Sequence, residues 1–146
     1  MTLQAALIAG ARAFPDRQWI CCDGQAWSYA EGDRLTDRLA EELMEAGIEP
    51  GDRVALLFGN GPEIVFSYYA CWKVGAIAVP LNIRFAPAEL AYVLGHCEAK
   101  MLLGQTPLCG AVMPLLPQLP HLTAVYVSGE PLDAVIRDLY SRQFSS

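Results

Sequence analysis

An α/β fold, with a parallel sheet and flanking helices in βαβ units behind an N-terminal β-hairpin, is predicted by three features of the sequence. Short apolar runs at residues 54–58, 76–79, 101–103 and 123–127 alternate with stretches of helical periodicity, the order that parallel strands joined by right-handed crossovers require. Asp23-Gly24 separates two short β-like runs, and this dipeptide suits the positive φ angles of a tight hairpin turn. Glycine or proline stands at nearly every junction between these stretches, where helices stop and turns form.

The elements follow in order. Leu3, Leu7, Gly10, Ala11 and Phe14 recur at helical spacing behind Thr2 as N-cap, and Pro15 ends the pattern. Residues 18–22 and 25–28 flank the Asp23-Gly24 turn and are the one antiparallel pair expected. Ser28 and Glu31 have the spacing of a capping box, in which each side chain satisfies the other's backbone donor, so a helix is expected over 29–46. Leu35, Leu39, Leu43 and Ala46 form its apolar stripe, Arg38 is in reach of Glu41 and Glu42, and Gly47 closes it.

Glu49-Pro-Gly-Asp52 places proline and glycine in the centre of a type II turn that leads into residues 54–58, an uninterrupted apolar run suited to a strand buried on both faces. Pro62 suits the first position of the next helix and Glu63 its positive end, while residues 64–72 are apolar nearly all round, as in a helix packed on two sides. Lys73 and Gly75 end it; the strand at 76–79 is equally apolar, needs cover on both faces, and stops at Pro80, which has no N–H for the ladder. A helix over 87–97, a strand at 101–103, a proline-broken crossing over 107–120, a strand at 123–127 and a last helix from Pro131 complete the chain.

Residues 1–146 carry neither an internal repeat nor a polar linker and form one domain on this reading. A chain of this size can bury roughly 68–70% of its unfolded surface. It is 53% hydrophobic and 18% charged, far from a disordered composition. The net charge of −6 repels phosphate backbones, so nucleic acid is not an expected partner. The first residues lack a basic start, and no stretch approaches the about 20 apolar residues of a spanning helix; a cytoplasmic chain without a transmembrane segment is expected. Five cysteines, two of them adjacent at Cys21 and Cys22, fit buried free thiols better than a disulfide framework.

The sequence contains no GxSxG, HExxH or CxxC motif, and Gly59-Asn-Gly61-Pro62 fits neither dinucleotide nor phosphate loop patterns. His96 and His121 have no evident nucleophile or metal-site companions. No catalytic residue and no metal ligand is therefore assigned.

Trp27-Ser-Tyr-Ala-Glu31, Gly51-Asp-Arg-Val-Ala55, Asn60-Gly-Pro-Glu63 and Trp72-Lys-Val-Gly-Ala-Ile-Ala-Val-Pro-Leu-Asn82 closely resemble, in order and spacing, the opening of the adenylate-forming superfamily. That superfamily comprises acyl-CoA and aryl-CoA ligases, peptide-synthetase adenylation domains and luciferases. The resemblance runs from about Phe14 to Leu103, and its most specific piece is Lys73 to Leu81. Pro80-Leu-Asn82, Arg84 and Pro87-Ala-Glu-Leu90 resemble the acyl-CoA ligase branch, whereas peptide-synthetase domains usually carry aspartate at the position of Asn82. A fatty or aromatic acid is the implied substrate class. Members usually place leucine where Gly32 stands, a position expected to pack on Trp27, so the helix start is expected to lose that contact.

The resemblance implies a truncated N-terminal subdomain. ATP, Mg²⁺ and CoA serve the full-length parent, while the Ser/Thr/Gly-rich phosphate loop, ribose-binding aspartate, hinge and C-terminal lysine of such enzymes come later than this chain extends. Activity of the chain alone is not expected. One cofactor-binding candidate remains: Arg84 follows the C-terminal end of a strand, and related ligases use an arginine in this loop against CoA phosphates. A surface arginine paired with a nearby carboxylate is the competing reading. The partners expected are the remaining segments of the parent or a second copy meeting exposed apolar surface. A stand-alone interaction module that keeps the ligase scaffold and an unrelated flavodoxin-like domain are the alternatives.

Overall fold

A computed structural model describes residues 2–128 and 136–138. The element order is α1 (Leu3–Ala13), β1 (Gln18–Cys22), β2 (Gln25–Ser28), α2 (Tyr29–Glu45), β3 (Arg53–Leu57), α3 (Pro62–Val74), β4 (Ile77–Pro80), α4 (Pro87–His96), β5 (Met101–Gln105), α5 (Thr106–Cys109), a 3₁₀ turn (Met113–Gln118), β6 (Ala124–Ser128) and β7 (Ile136–Asp138). The α/β class and the hairpin are as the sequence predicts.

Local chemistry sets most boundaries. Thr2 accepts from the Ala5 N–H at 3.2 Å to start α1. Asp23 and Gly24 take φ of 49° and 79° at the hairpin tip, with Cys22 opposite Gln25. The capping box of α2 is complete: Glu31 N–H donates to Ser28 Oγ at 3.1 Å, and Ser28 N–H to Glu31 Oε1 at 3.0 Å. Gly51 has φ 88° and Asp52 N–H donates to the Glu49 carbonyl at 3.0 Å, the geometry of a type II turn. Hydrogen bonds from Ser28, and at the turn from the Glu49 N–H and then Lys100, hold Glu31 and Asp52 below the usual carboxylate range. The stability they contribute is present above the unfolded pKa and is lost as pH falls through the folded value.

The main sheet runs β4-β3-β5-β6-β7, with β1-β2 separate. β4, β3, β5 and β6 are parallel, and β7 is antiparallel to β6. Period-two alternation splits the core into two layers. Val54, Leu56, Met101 and Leu103 meet α2 and α3 on one face; Ala55, Leu57, Leu102 and Val125 meet α4 and the proline-rich crossing on the other. No residue of α3 is exposed, in keeping with its all-round apolar sequence. Phe66, within α3, lies against Trp19 and Trp27 of the hairpin at ring-centroid distances of 5.8 and 5.3 Å.

The strand at 76–79 needs cover on both faces and does not receive it in full, in line with the exposed apolar surface expected: β4 is an edge of the sheet and Ile77 is 52% exposed. Several expectations are corrected. The helix from Pro131 lies outside the described residues at 131–135, and at Ile136–Asp138 the chain is a strand, which makes a second antiparallel pair. Arg38 is not paired with Glu41 or Glu42; the ion pairs of α2 run from Asp33 and Asp37 to Lys73 of α3, at 2.5 and 2.7 Å. The Lys73 side chain is only 8% exposed, and a cross-helix partner both neutralises it and fixes the helix pair. Of the five cysteines only Cys71 and Cys109 are buried, and Cys21 is exposed.

Burial pushes the Cys71 and Cys109 thiols up to about 12 from 9.0. Above pH 9 the unfolded chain releases these protons while the folded one keeps them, so stability falls as pH rises from 9 toward 12. Urea midpoints between pH 8 and pH about 10.5 should decline, and less steeply in a Cys71→Ala, Cys109→Ala chain. Equal slopes would show that both thiols ionise in the folded state.

Candidate functional site

The parallel strands place the C-terminal ends of β4, β3, β5 and β6 along one edge of the sheet. The crossover through α3 carries the chain from β3 to β4 on one side, and the crossover through α4 returns it to β5 on the other side of β3. The loops after β3 and β5 therefore part from each other, and such a switch point is where open α/β sheets bind ligands.

One side chain ties this point together. Gln105, the last residue of β5, accepts from the Gly59 N–H through Oε1 at 2.8 Å and donates from Nε2 to Glu63 Oε2 at 3.1 Å. It joins the end of β3, the first turn of α3 and β5 in one amide bridge. Pro62 starts α3 without a donor to satisfy, and the Glu63 carboxylate offsets the positive helix end. The sequence reading missed Gln105. Its visible signal was a polar residue closing an apolar strand, but the partners were not legible because they belong to a different βα unit.

Arg84 lies on the same edge, one strand over. Leu81 is buried and its N–H donates to the Leu56 carbonyl at 2.8 Å, which anchors the start of the loop. Asn82 then folds the loop: its Oδ1 accepts from the Arg84 N–H at 2.8 Å and its carbonyl from the Phe85 N–H at 3.0 Å. The Arg84 side chain is exposed, and no carboxylate among the described residues stands within ion-pair distance of it. The loop carries Arg84 at the C-terminal edge of the sheet, and no hydrogen bond joins it to Gln105 or Glu63.

The two histidines and the cations Arg53 and Lys100 have partners within the fold. His96 stacks on Tyr92 with ring centroids 5.5 Å apart, and His121 faces Glu98 at 3.3 Å. At the opposite edge of the sheet Lys100 bonds the Gly47 carbonyl at 2.6 Å and Asp52 at 3.2 Å, and Arg53 Nε donates to the Cys97 carbonyl at 2.8 Å. Among the described residues no three His, Cys, Asp or Glu side chains form a group that could hold a metal, and no helix is long and apolar enough to cross a membrane. The arrangement can orient backbone and present one cation. It contains no pairing of a nucleophile with a base.

Residues 7–144 match the sequence profile of the family described as AMP-binding enzyme. The chain is 37% identical over 121 residues to a medium-chain fatty-acid–CoA ligase of Escherichia coli strain K12, an alignment covering 79% of this chain and 21% of that protein. It is 41% identical over 93 residues to a feruloyl-CoA synthase of an Amycolatopsis species, covering 64% and 19%. Among solved structures, one described as a long-chain-fatty-acid CoA ligase from Rhodopseudomonas palustris superposes with TM-score 0.85 at 30% identity, covering 95% of this chain and 37% of that one. The chain thus spans about a fifth of the length of these curated relatives.

Proposed function

Because the chain belongs to the AMP-binding enzyme family, as its match over residues 7–144 shows, we propose that it is the N-terminal segment of an ATP-dependent carboxylic acid:CoA ligase that makes no acyl-CoA by itself. The observation supporting this reading is that the chain spans about a fifth of the length of its curated relatives, while the edge braced by Gln105 offers, among the described residues, the Arg84 guanidinium but no paired nucleophile and base. Charge stabilisation and positioning supply most of an enzyme's rate enhancement. The Ser/Thr/Gly-rich loop and lysine that the resemblance assigns to those roles have no counterpart among these 146 residues.

On this reading residues 1–146 form one α/β subdomain. ATP and Mg²⁺ are handled by the parts of the ligase beyond it, and a fatty or aromatic acid is the substrate class, supported by the Pro80-Leu-Asn82 pattern. Arg84 is the group of this chain that meets CoA. Its guanidinium is exposed on a loop held by Asn82, and a fixed fork of donors suits a phosphate dianion. A stand-alone interaction module is the second reading, favoured by the closed core: Ala55 and Leu57 of β3 are 0% and 2% exposed under cover the chain supplies itself. Reading the coding sequence downstream of Ser146 separates the two, since a continuation encoding the phosphate loop supports the ligase segment.

Incubated with ATP, Mg²⁺, CoA and a panel of fatty and aromatic acids, the isolated chain should release no pyrophosphate above a control without protein. Reproducible release that depends on the chain would overturn the proposal. CoA should bind the chain only near millimolar, about −4 kcal/mol, and Arg84→Ala should weaken that several-fold; unchanged binding would remove Arg84 from the site.

A further inference from the structure

A recess of about 520 Å³ lies where β2 meets α2, lined by Trp27, Glu31, Arg34, Leu35, Asp37 and Arg38. None of Gly59, Glu63, Arg84 and Gln105 takes part in it, so it is separate from the C-terminal edge of the sheet. Its volume lies within the range of small-molecule sites, roughly 300–1,000 Å³. Arg34 and Arg38 stand one helical turn apart on the exposed side of α2, a spacing that makes the two side chains neighbours.

Neither cation has an ion-pair partner among the described residues. The pairs formed there join Lys73 to Asp33 and Asp37, Lys100 to Asp52 and His121 to Glu98, and none includes Arg34 or Arg38. The nearest carboxylates are engaged elsewhere: Glu31 Oε1 accepts from the Ser28 N–H at 3.0 Å, and Asp37 meets Lys73 at 2.7 Å. Arg34 attracts Glu31, and Arg38 attracts Glu42, only from beyond ion-pair distance. Two like charges four residues apart repel, a small cost that an anion placed between them removes. Apolar groups adjoin them, because Leu35 and the half-buried Trp27, whose ring centroid is 5.3 Å from that of Phe66, line the same recess.

We propose that this recess binds a small aromatic carboxylate, with the carboxylate held by Arg34 and Arg38 and the flat apolar ring against Trp27. A guanidinium presents a fork of donors that matches the two oxygens of a carboxylate, and a planar ring packs on indole by offset stacking or edge contact. Charge selects a monoanion. Glu31 and Asp37 line the recess beside the arginines, so its field is nearly balanced. A phosphate dianion therefore finds little extra attraction there to offset its larger desolvation cost. The inference stands apart from the ligase-segment reading, since it uses no residue of the C-terminal edge.

The test is equilibrium dialysis of the whole chain against 2-naphthoate, for which saturable binding in the millimolar range is expected. Arg34→Gln and Arg38→Gln should each weaken it about five-fold, the size of loss for one charge-assisted hydrogen bond at a partly exposed site. Both positions are exposed, so the variants should keep the circular dichroism of the parent. Arg38→Lys, which keeps the charge but not the fork, should fall between the parent and Arg38→Gln. Arg12→Gln, exposed on α1 and outside the recess, should bind as the parent does. The uncharged 2-naphthalenemethanol should bind at least about five-fold more weakly than the acid. Binding unchanged in both glutamine variants overturns the site, as does an equal loss in Arg12→Gln, which would mean attraction to exposed cations in general. Loss confined to Arg84→Ala would place the acid at the C-terminal edge and overturns the site as well. Tighter binding of 2-naphthyl phosphate than of 2-naphthoate overturns the ligand class. No saturable binding below about 10 mM overturns the proposal outright.

Discussion

Replacing Phe66 by alanine is expected to cost about 3–5 kcal/mol of stability, the range for truncating a fully buried aromatic. Phe66 is 2% exposed at the centre of the layer formed by α2, α3 and one face of the sheet. Its ring also holds the hairpin down, tilted 39° to Trp19 and nearly perpendicular, at 79°, to Trp27. Truncation therefore removes core volume and the contact surface of β1 and β2 together. Domains of this kind hold about 5–15 kcal/mol in total, so the variant should be close to unfolding at room temperature. Urea titration followed by tryptophan emission measures both the lost stability and the release of Trp19 and Trp27 into water. Phe66→Leu, which keeps most of the volume, should cost under about 1.5 kcal/mol. A loss below about 1 kcal/mol for Phe66→Ala would mean that the hairpin does not rest on α3, since cavities of that size are otherwise costly.

The second large effect concerns Gly32, where the resemblance leads one to expect leucine. The sequence suggests that α2 simply loses a contact with Trp27 there; the structure shows a different ring in the space. A Cβ built on Gly32 would stand 2.0 Å from Cε3 and 2.3 Å from Cζ3 of Trp19. The six-membered ring of Trp19 occupies the space a side chain would need, so glycine is required by close approach and not by its φ angle. Gly32→Leu should cost about 3 kcal/mol through overpacking and displacement of Trp19. Even Gly32→Ala should destabilise, although alanine in a helix interior is ordinarily favoured over glycine by about 1 kcal/mol. The decisive measurement is the double variant: with Trp19→Ala present, Gly32→Leu should recover much of its cost, a coupling above about 1 kcal/mol. Simple additivity would show that leucine is accommodated without moving Trp19.

The two effects bear on function through the same layer. α2 and α3 cover the face of the sheet from which the Phe58–Gly61 turn and the first turn of α3 project, and Gln105 locks that turn from β5. Loosening α3 would release Glu63 from its bridge to Gln105 and with it the shape of the C-terminal edge of the sheet.

What the sequence by itself determined was local. Thr2, Ser28 with Glu31, Asp23-Gly24, Glu49-Pro-Gly-Asp52 and Pro62 each act on backbone groups within three residues of themselves, so helix starts and turns followed from residue type and spacing. The buried character of β3 and of α3 was equally legible, because an unbroken apolar run can be satisfied only by cover on all sides. The family and its acyl-CoA branch were also in the sequence, carried by motifs that turn out to be turns, caps and core. Tertiary structure alone decided the rest. That β4 is an edge follows from the crossover through α4 passing over β3, which no periodicity encodes. Lys73 chose Asp33 and Asp37 on α2, Trp19 chose Gly32, and Gln105 chose Gly59 and Glu63. Each of those pairings joins residues of different elements, and its energy exists only after the chain entropy of bringing those elements together has been overcome. A residue's own neighbours in sequence fix its backbone; its partners across the sheet are fixed by the topology that packing selects.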